Sequence, residues 1–91
     1  MVPVTRYQVT MHYWAAAKEA AGTAEETVIA LTLADAIDAV SEKRAGDSRF
    51  AAVLARSSFL IDGTPVGLRP HETIMLGNGK VIEVLPSFAG G

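Results

Sequence analysis

The segment from Thr32 to Gly46 constrains the fold of this chain most, because it carries a complete set of signals for a core-packing helix. Thr32 is a good N-cap and Asp35 stands three residues on, close to a capping box, with its carboxylate at the positive end of the helix dipole. Leu33, Ala36, Ile37 and Val40 then fall at i, i+3, i+4 and i+7 and make one apolar stripe, while Gly46 supplies a stop after Lys43 and Arg44. The opposite face, with Asp38 and Glu42, reads as solvated. A helix with one apolar stripe needs a sheet or another helix to cover, so the segments around it decide the architecture.

Those segments read mainly as strands. Residues 7–14 alternate with period two: Tyr7, Val9, Met11 and Tyr13 on one face, Gln8, Thr10, His12 and Trp14 on the other. The run Ala15–Ala21 has high helix propensity but is short and stops at Gly22, so a turn or two of helix is expected. Glu25–Leu31 reads as a second strand with Val28 and Ala30 on one face, and the Glu25-Glu26 pair as its solvated start. Beyond the main helix, Phe50, Val53 and Leu54 predict a short helical turn. Ser57–Ile61 predicts a strand that ends in the turn signal Asp62-Gly63. Pro65 restricts the next piece to a short edge strand, and Ile74–Leu76 leads through Gly77-Asn78-Gly79 into a last strand, Lys80–Leu85. Proline at 86 removes a donor and is expected to end the pairing there.

The order strand, strand, helix, then two or three strands, with a right-handed crossover through the helix, places the last strand parallel to the first in mid-sheet. That is an α+β fold of the β-grasp type: a mixed four- to five-stranded sheet with one main helix on one face. Residues 1–86 form the domain and residues 87–91 an extended tail. At 91 residues with 49% apolar and 20% charged side chains, one packed domain is expected. The formal charge of −2 comes without a basic run, which argues against nucleic-acid binding, and no window is apolar enough to span a membrane. A cytoplasmic location is expected. The chain has no cysteine, so sulfur chemistry would have to be carried by some other group.

Few motifs point to chemistry. His12 and His71 have no acidic or histidine partner at ligand spacing, so no metal site is expected. The Gly-Asn-Gly run is a hairpin turn and not a phosphate cradle, Ser57-Ser58 belongs to no hydrolase motif, and Trp14 reads as a half-buried packing residue. The sequence ends Pro86-Ser87-Phe88-Ala89-Gly90-Gly91, where the last two residues lack a Cβ and can pass a channel that any other residue would block. Two readings of that end stand: a frayed terminus, or a carboxylate delivered by the last strand.

The stretches HYWAAAKEAAG, EETV, SFLIDGTPV and above all GNGKVIEVLPSFAGG resemble the ubiquitin-like sulfur carriers, the MoaD/ThiS family, and within it the small subunits of molybdopterin synthase. The resemblance covers essentially the whole domain. Lys80 departs from it where an aspartate commonly follows the turn glycine, and Ser87 where a second proline is common. It implies that the Gly91 carboxylate is adenylated by a ubiquitin-activating-enzyme-like adenylyltransferase using ATP and Mg²⁺, then thiocarboxylated by a sulfur donor protein. The chain itself would hold no permanent cofactor. As molybdopterin synthase small subunit it would insert its tail into the large subunit, in a heterotetramer, and give sulfur to a pyranopterin precursor. Gly90 would be the sterically required neighbour, with Ala89 and Pro86 in the inserted strip and Phe88 as an apolar anchor or folded back on its own sheet. Other implied roles are sulfur carriage for thiazole, cysteine or tRNA thiolation, and modification of protein lysines. Phe59 is a candidate for the partner-facing sheet surface, although either Phe59 and Ile61 or Leu60 must face the helix.

Overall fold

The computed structural model describes residues 6–87, which build five strands and three helices. Strand β1 (Tyr7–Tyr13) follows the predicted alternation, with Val9, Met11 and Tyr13 buried. Helix α1 (Ala15–Ala21) closes on Gly22, whose φ of 79° is the left-handed cap that glycine takes without a Cβ penalty. Strand β2 (Glu25–Ala30) runs antiparallel to β1 from Tyr7↔Ala30 to His12↔Glu25. Helix α2 (Leu33–Lys43) starts with both halves of the capping box: the Asp35 N–H donates to Thr32 Oγ1 and the Thr32 N–H to Asp35 Oδ2, each at 3.2 Å.

Helix α3 (Ser48–Ala55) is two turns long where a single turn was expected. Its cause is Asp47, an N-cap whose carboxylate accepts from the Phe50 N–H at 2.9 Å. Strands β3 (Ser57–Ile61) and β4 (Thr64–Pro65) form a hairpin around Asp62 and Gly63, both at positive φ (48° and 84°) as a tight primed turn requires. Strand β5 (Val81–Pro86) completes the sheet.

The strand order is β2-β1-β5-β3-β4, with β5 parallel to β1 and antiparallel to β3. This is the expected mixed sheet, and α2 supplies the crossover. The core lies between sheet and helices, where Met11, Leu33, Ala36, Val40, Ile82 and Val84 are fully buried. Burying each larger aliphatic side chain contributes about 1.5–3 kcal/mol. Ile82 and Val84 sit on the central strand, so the last strand is also one of the best-anchored. The turn feeding β5 does not lack an acceptor for having Lys80 in place of an aspartate. Asp62 Oδ1 takes the Val81 N–H at 2.9 Å, and Lys80 pairs with Asp62 at 3.2 Å. Those contacts hold the Asp62 carboxyl below its ordinary range, through the Val81 hydrogen bond first and Lys80 second.

One buried cluster was not foreseen. Glu26 is not a solvated strand start: it shares parity with Val28 and Ala30 and faces the helices. Its carboxylate accepts from Tyr13 Oη at 2.5 Å and Lys43 Nζ at 2.7 Å, and lies 2.7 Å from Arg44 Nη1. Arg44 donates two further bonds to the Ala21 carbonyl and lies over the Phe50 ring, 4.7 Å from its centroid. Burial raises the Glu26 carboxyl, but hydrogen bonds from Lys43 and Tyr13 and the adjacent Arg44 guanidinium outweigh it and hold the group below the usual range. Burial first, then the neighbouring carboxylate, push the Tyr13 phenol far up. The cluster ties β1 and β2 to the ends of α1 and α2.

Candidate functional site: the exit of the last strand

Strand β5 reaches the edge of the fold by losing its neighbours one at a time. On the β1 side the ladder ends where the Trp14 N–H donates to the Val84 carbonyl at 3.2 Å, because the chain turns there into α1. On the β3 side pairing continues through Ser57↔Pro86, and the Ser87 N–H donates to the Arg56 carbonyl at 3.3 Å. Pro86 is therefore the final strand residue and does not itself end the pairing. Backbone groups alternate sides along a strand, and Val84 bonds toward β1, so the donor that Pro86 lacks would also point there, where no strand remains to accept it. Ser87, exposed, is the last described residue. Phe88, Ala89, Gly90 and Gly91 lie outside the described residues.

Beside this exit, on the sheet face away from the helices, three side chains meet. Trp14 Nε1 donates to Glu83 Oε1 at 3.1 Å, His12 Nδ1 lies 3.9 Å from the same oxygen, and the His12 and Trp14 rings are 4.6 Å apart. His12 thus has an acidic neighbour that its sequence spacing did not reveal, because Glu83 arrives from a strand 71 residues later and is matched to it by the parallel register His12↔Glu83. Trp14 is 44% exposed. By alternation the same face carries Leu60 and Leu85, both half-buried, and the exposed Ile29.

Phe59 is not on that face. It is 6% exposed, pairs with Val84 in register, packs edge-on against His71 at 5.3 Å, and lines a groove of about 310 Å³ with Ile37 and Leu54 on the helix side. Of the two alternatives for this strand, Phe59 therefore faces the helices and Leu60 takes the outward position. Among the described residues no group of three His, Asp or Glu side chains is placed to hold a metal ion, and no helix is long and apolar enough to cross a membrane. Among the described residues, the depression bordered by Trp14, Lys18 and Thr23, about 650 Å³, has Lys18 as its one Lys or Arg, beside Glu19.

A five-stranded mixed sheet with its last strand central and a helix crossing one face defines a β-grasp protein of the ubiquitin-like class. The chain belongs to the ThiS family, whose model matches residues 11–91. Its fold is similar to the solution structure of small archaeal modifier protein 1 from Methanosarcina acetivorans (TM-score 0.80, 20% identity, covering 97% of this chain and 100% of that one). It is also similar to a putative molybdopterin converting factor, subunit 1, from Pyrococcus furiosus (TM-score 0.71, 20% identity, 88% and 97% covered). A third likeness is to the crystal structure of small archaeal modifier protein 1 from Haloferax volcanii (TM-score 0.69, 18% identity, 92% and 99% covered). No curated protein matches the chain in sequence.

Proposed function

We propose that the protein is a sulfur carrier whose working group is the Gly91 carboxylate. The observation that carries this reading is the ThiS-family match, which runs through residue 91. The central strand fits the role, since it is anchored by Ile82 and Val84 and releases its last neighbour at Ser87. From Ser87 the remaining four residues span at most about 14 Å, enough to bring the terminus into a partner's cleft while the domain docks outside.

A carboxylate is a poor electrophile because its charge repels nucleophiles and its oxygen leaves badly. In the proposed sequence a Gly91 oxygen attacks the α-phosphorus of ATP on an adenylyltransferase that binds the Mg²⁺, and pyrophosphate leaves. A sulfide-level donor then attacks the acyl carbon, and AMP departs with that oxygen. The product is a thiocarboxylate, a sulfur nucleophile made without any cysteine of this chain. Gly90 and Ala89 would pass the partner's channel, with Phe88 as the apolar anchor.

The acceptor we propose is the pyranopterin precursor, with this chain as the small subunit of molybdopterin synthase paired with a large subunit. A second reading, ligation of Gly91 to lysines of other proteins, draws on the fold likeness to the archaeal modifier proteins. The test adds thiocarboxylated protein to a large subunit and precursor. Dithiolene formation with return of the carboxylate supports the first reading. An intact thiocarboxylate refutes it, and new high-mass lysine conjugates formed with an activating enzyme and ATP support the second.

A further inference from the structure

The two edges of the sheet are treated differently. At one edge, β4 is two residues long and contains Pro65, whose carbonyl is taken by Arg69 at 3.1 Å, as is that of the following Val66 at 2.9 Å. That edge is blocked against further pairing. The other edge is β2, six residues in unbroken register with β1, without proline, glycine, lysine or a bulge. Tyr13 bonds the Ala24 carbonyl, so by alternation Glu26, Val28 and Ala30 bond to β1 while Glu25, Thr27 and Ile29 turn their backbone groups outward. Of these, the Glu25 carbonyl accepts from Thr23 Oγ1, and β2 has no strand on that side among the described residues.

Next to this edge runs a groove of about 370 Å³ between β2 and α2. Ala30, Leu31 and Ala39 line it on its apolar side, while Ile29, 55% exposed, turns its side chain to the opposite face of the sheet at the same edge. Among the described residues, Asp35, Asp38 and Glu42 line its helix side against one cation, Arg6, so three carboxylates less one guanidinium leave that lining two charges negative. Asp35 is engaged in the α2 cap, whereas Asp38 and Glu42, one helical turn apart and exposed, form no ion pair among the described residues. An open ladder beside an acidic groove accepts one kind of chain: an extended one that is basic on the side facing α2.

We propose that β2 is a strand-addition site for an extended segment of a partner protein in which Lys or Arg alternates with β-branched apolar residues. Its backbone pairs with Thr27 and Ile29, its basic side chains lie toward Asp38 and Glu42, and its apolar ones lie beside Ile29. A second copy of this chain fits less well, since pairing β2 with β2 brings two acidic grooves together. The site is independent of the tail and of what Gly91 carries.

The test is amide NMR of the ¹⁵N-labelled full chain titrated with an end-blocked peptide of alternating Lys and Val. Two further peptides carry N-methyl groups on one or the other alternate set of backbone nitrogens. The proposal predicts saturable shifts and slowed exchange at the Thr27 and Ile29 amides, retained with one N-methyl series and lost with the other. Asp38→Lys combined with Glu42→Lys, both on the exposed helix face, should weaken binding at least about tenfold with the spectrum of the folded domain otherwise intact. Unmoved Thr27 and Ile29 amides at saturating peptide, or equal binding of all three peptides, would overturn strand addition. Concentration-dependent protection of the same amides without peptide would replace the partner segment by a second copy and overturn the proposal as stated.

Discussion

Removing the Glu26 carboxylate tests the buried cluster that holds the β1–β2 pair against the helices. In Glu26→Ala, Arg44 stays with 13% of its side chain exposed and no carboxylate 2.7 Å away, and Tyr13 loses its acceptor. Breaking a buried ion pair by removing one partner costs about 3–5 kcal/mol, and the orphaned hydroxyl adds ~1 kcal/mol or more. Arg44 keeps its two bonds to the Ala21 carbonyl and its stacking on Phe50, and Lys43 is 60% exposed and contributes little. The expected loss is therefore about 3–4 kcal/mol, a large part of the roughly 5–14 kcal/mol available to a domain of this size. Urea unfolding at neutral pH measures it. The sign with pH follows from the lowered carboxyl: its stabilisation is fully present above the ordinary value of 4.5 and is lost as pH falls through the depressed folded value. The wild type should lose this stability in acid, and Glu26→Ala should lose less. Combining Glu26→Gln with Arg44→Met removes both charges and should recover part of the loss. A Glu26→Ala protein within about 1 kcal/mol of wild type, or with an unchanged acid limb, would refute the reasoning.

Thr32→Ala removes the acceptor of the Asp35 N–H and should destabilise by about 1 kcal/mol in the same urea assay. Ile82→Ala, at a fully buried position of the central strand, should cost about 2–5 kcal/mol and lower the unfolding midpoint accordingly. Trp14→Phe loses the indole bond to Glu83 on an exposed surface, so its urea midpoint should shift by no more than about 1 kcal/mol equivalent; a larger loss would mean the ring supports the core.

Much of this fold was legible because its signals are local. The capping box at Thr32 and Asp35, the alternation in β1, the glycine stop at 22 and the Asp62-Gly63 turn each lie within a few residues. What was missed depends on distant pairing. Phe59 and Leu60 are both apolar, so local pattern left the facing side open until the register with Val84 put Phe59 inward. The partnership of His12 and Trp14 with Glu83 needed the parallel β1–β5 register. Glu26 is different: its parity with Val28 and Ala30 points inward, whereas its charge alone reads as a solvated position. Asp47 similarly carried an N-cap signal for the second turn of α3. The residues of the tail reveal the candidate chemistry by composition and order, and Ser87 marks where the described structure delivers them.

Intact-protein mass spectrometry after incubation with ATP, Mg²⁺, a competent adenylyltransferase and a sulfur donor tests the carrier claim most directly. The account predicts a mass increase equal to exchange of one oxygen for one sulfur, mapped to Gly91 and absent when Gly91 is deleted. An unchanged mass with an adenylyltransferase shown to be active on another carrier, or an increase that persists in the deletion variant, would contradict it.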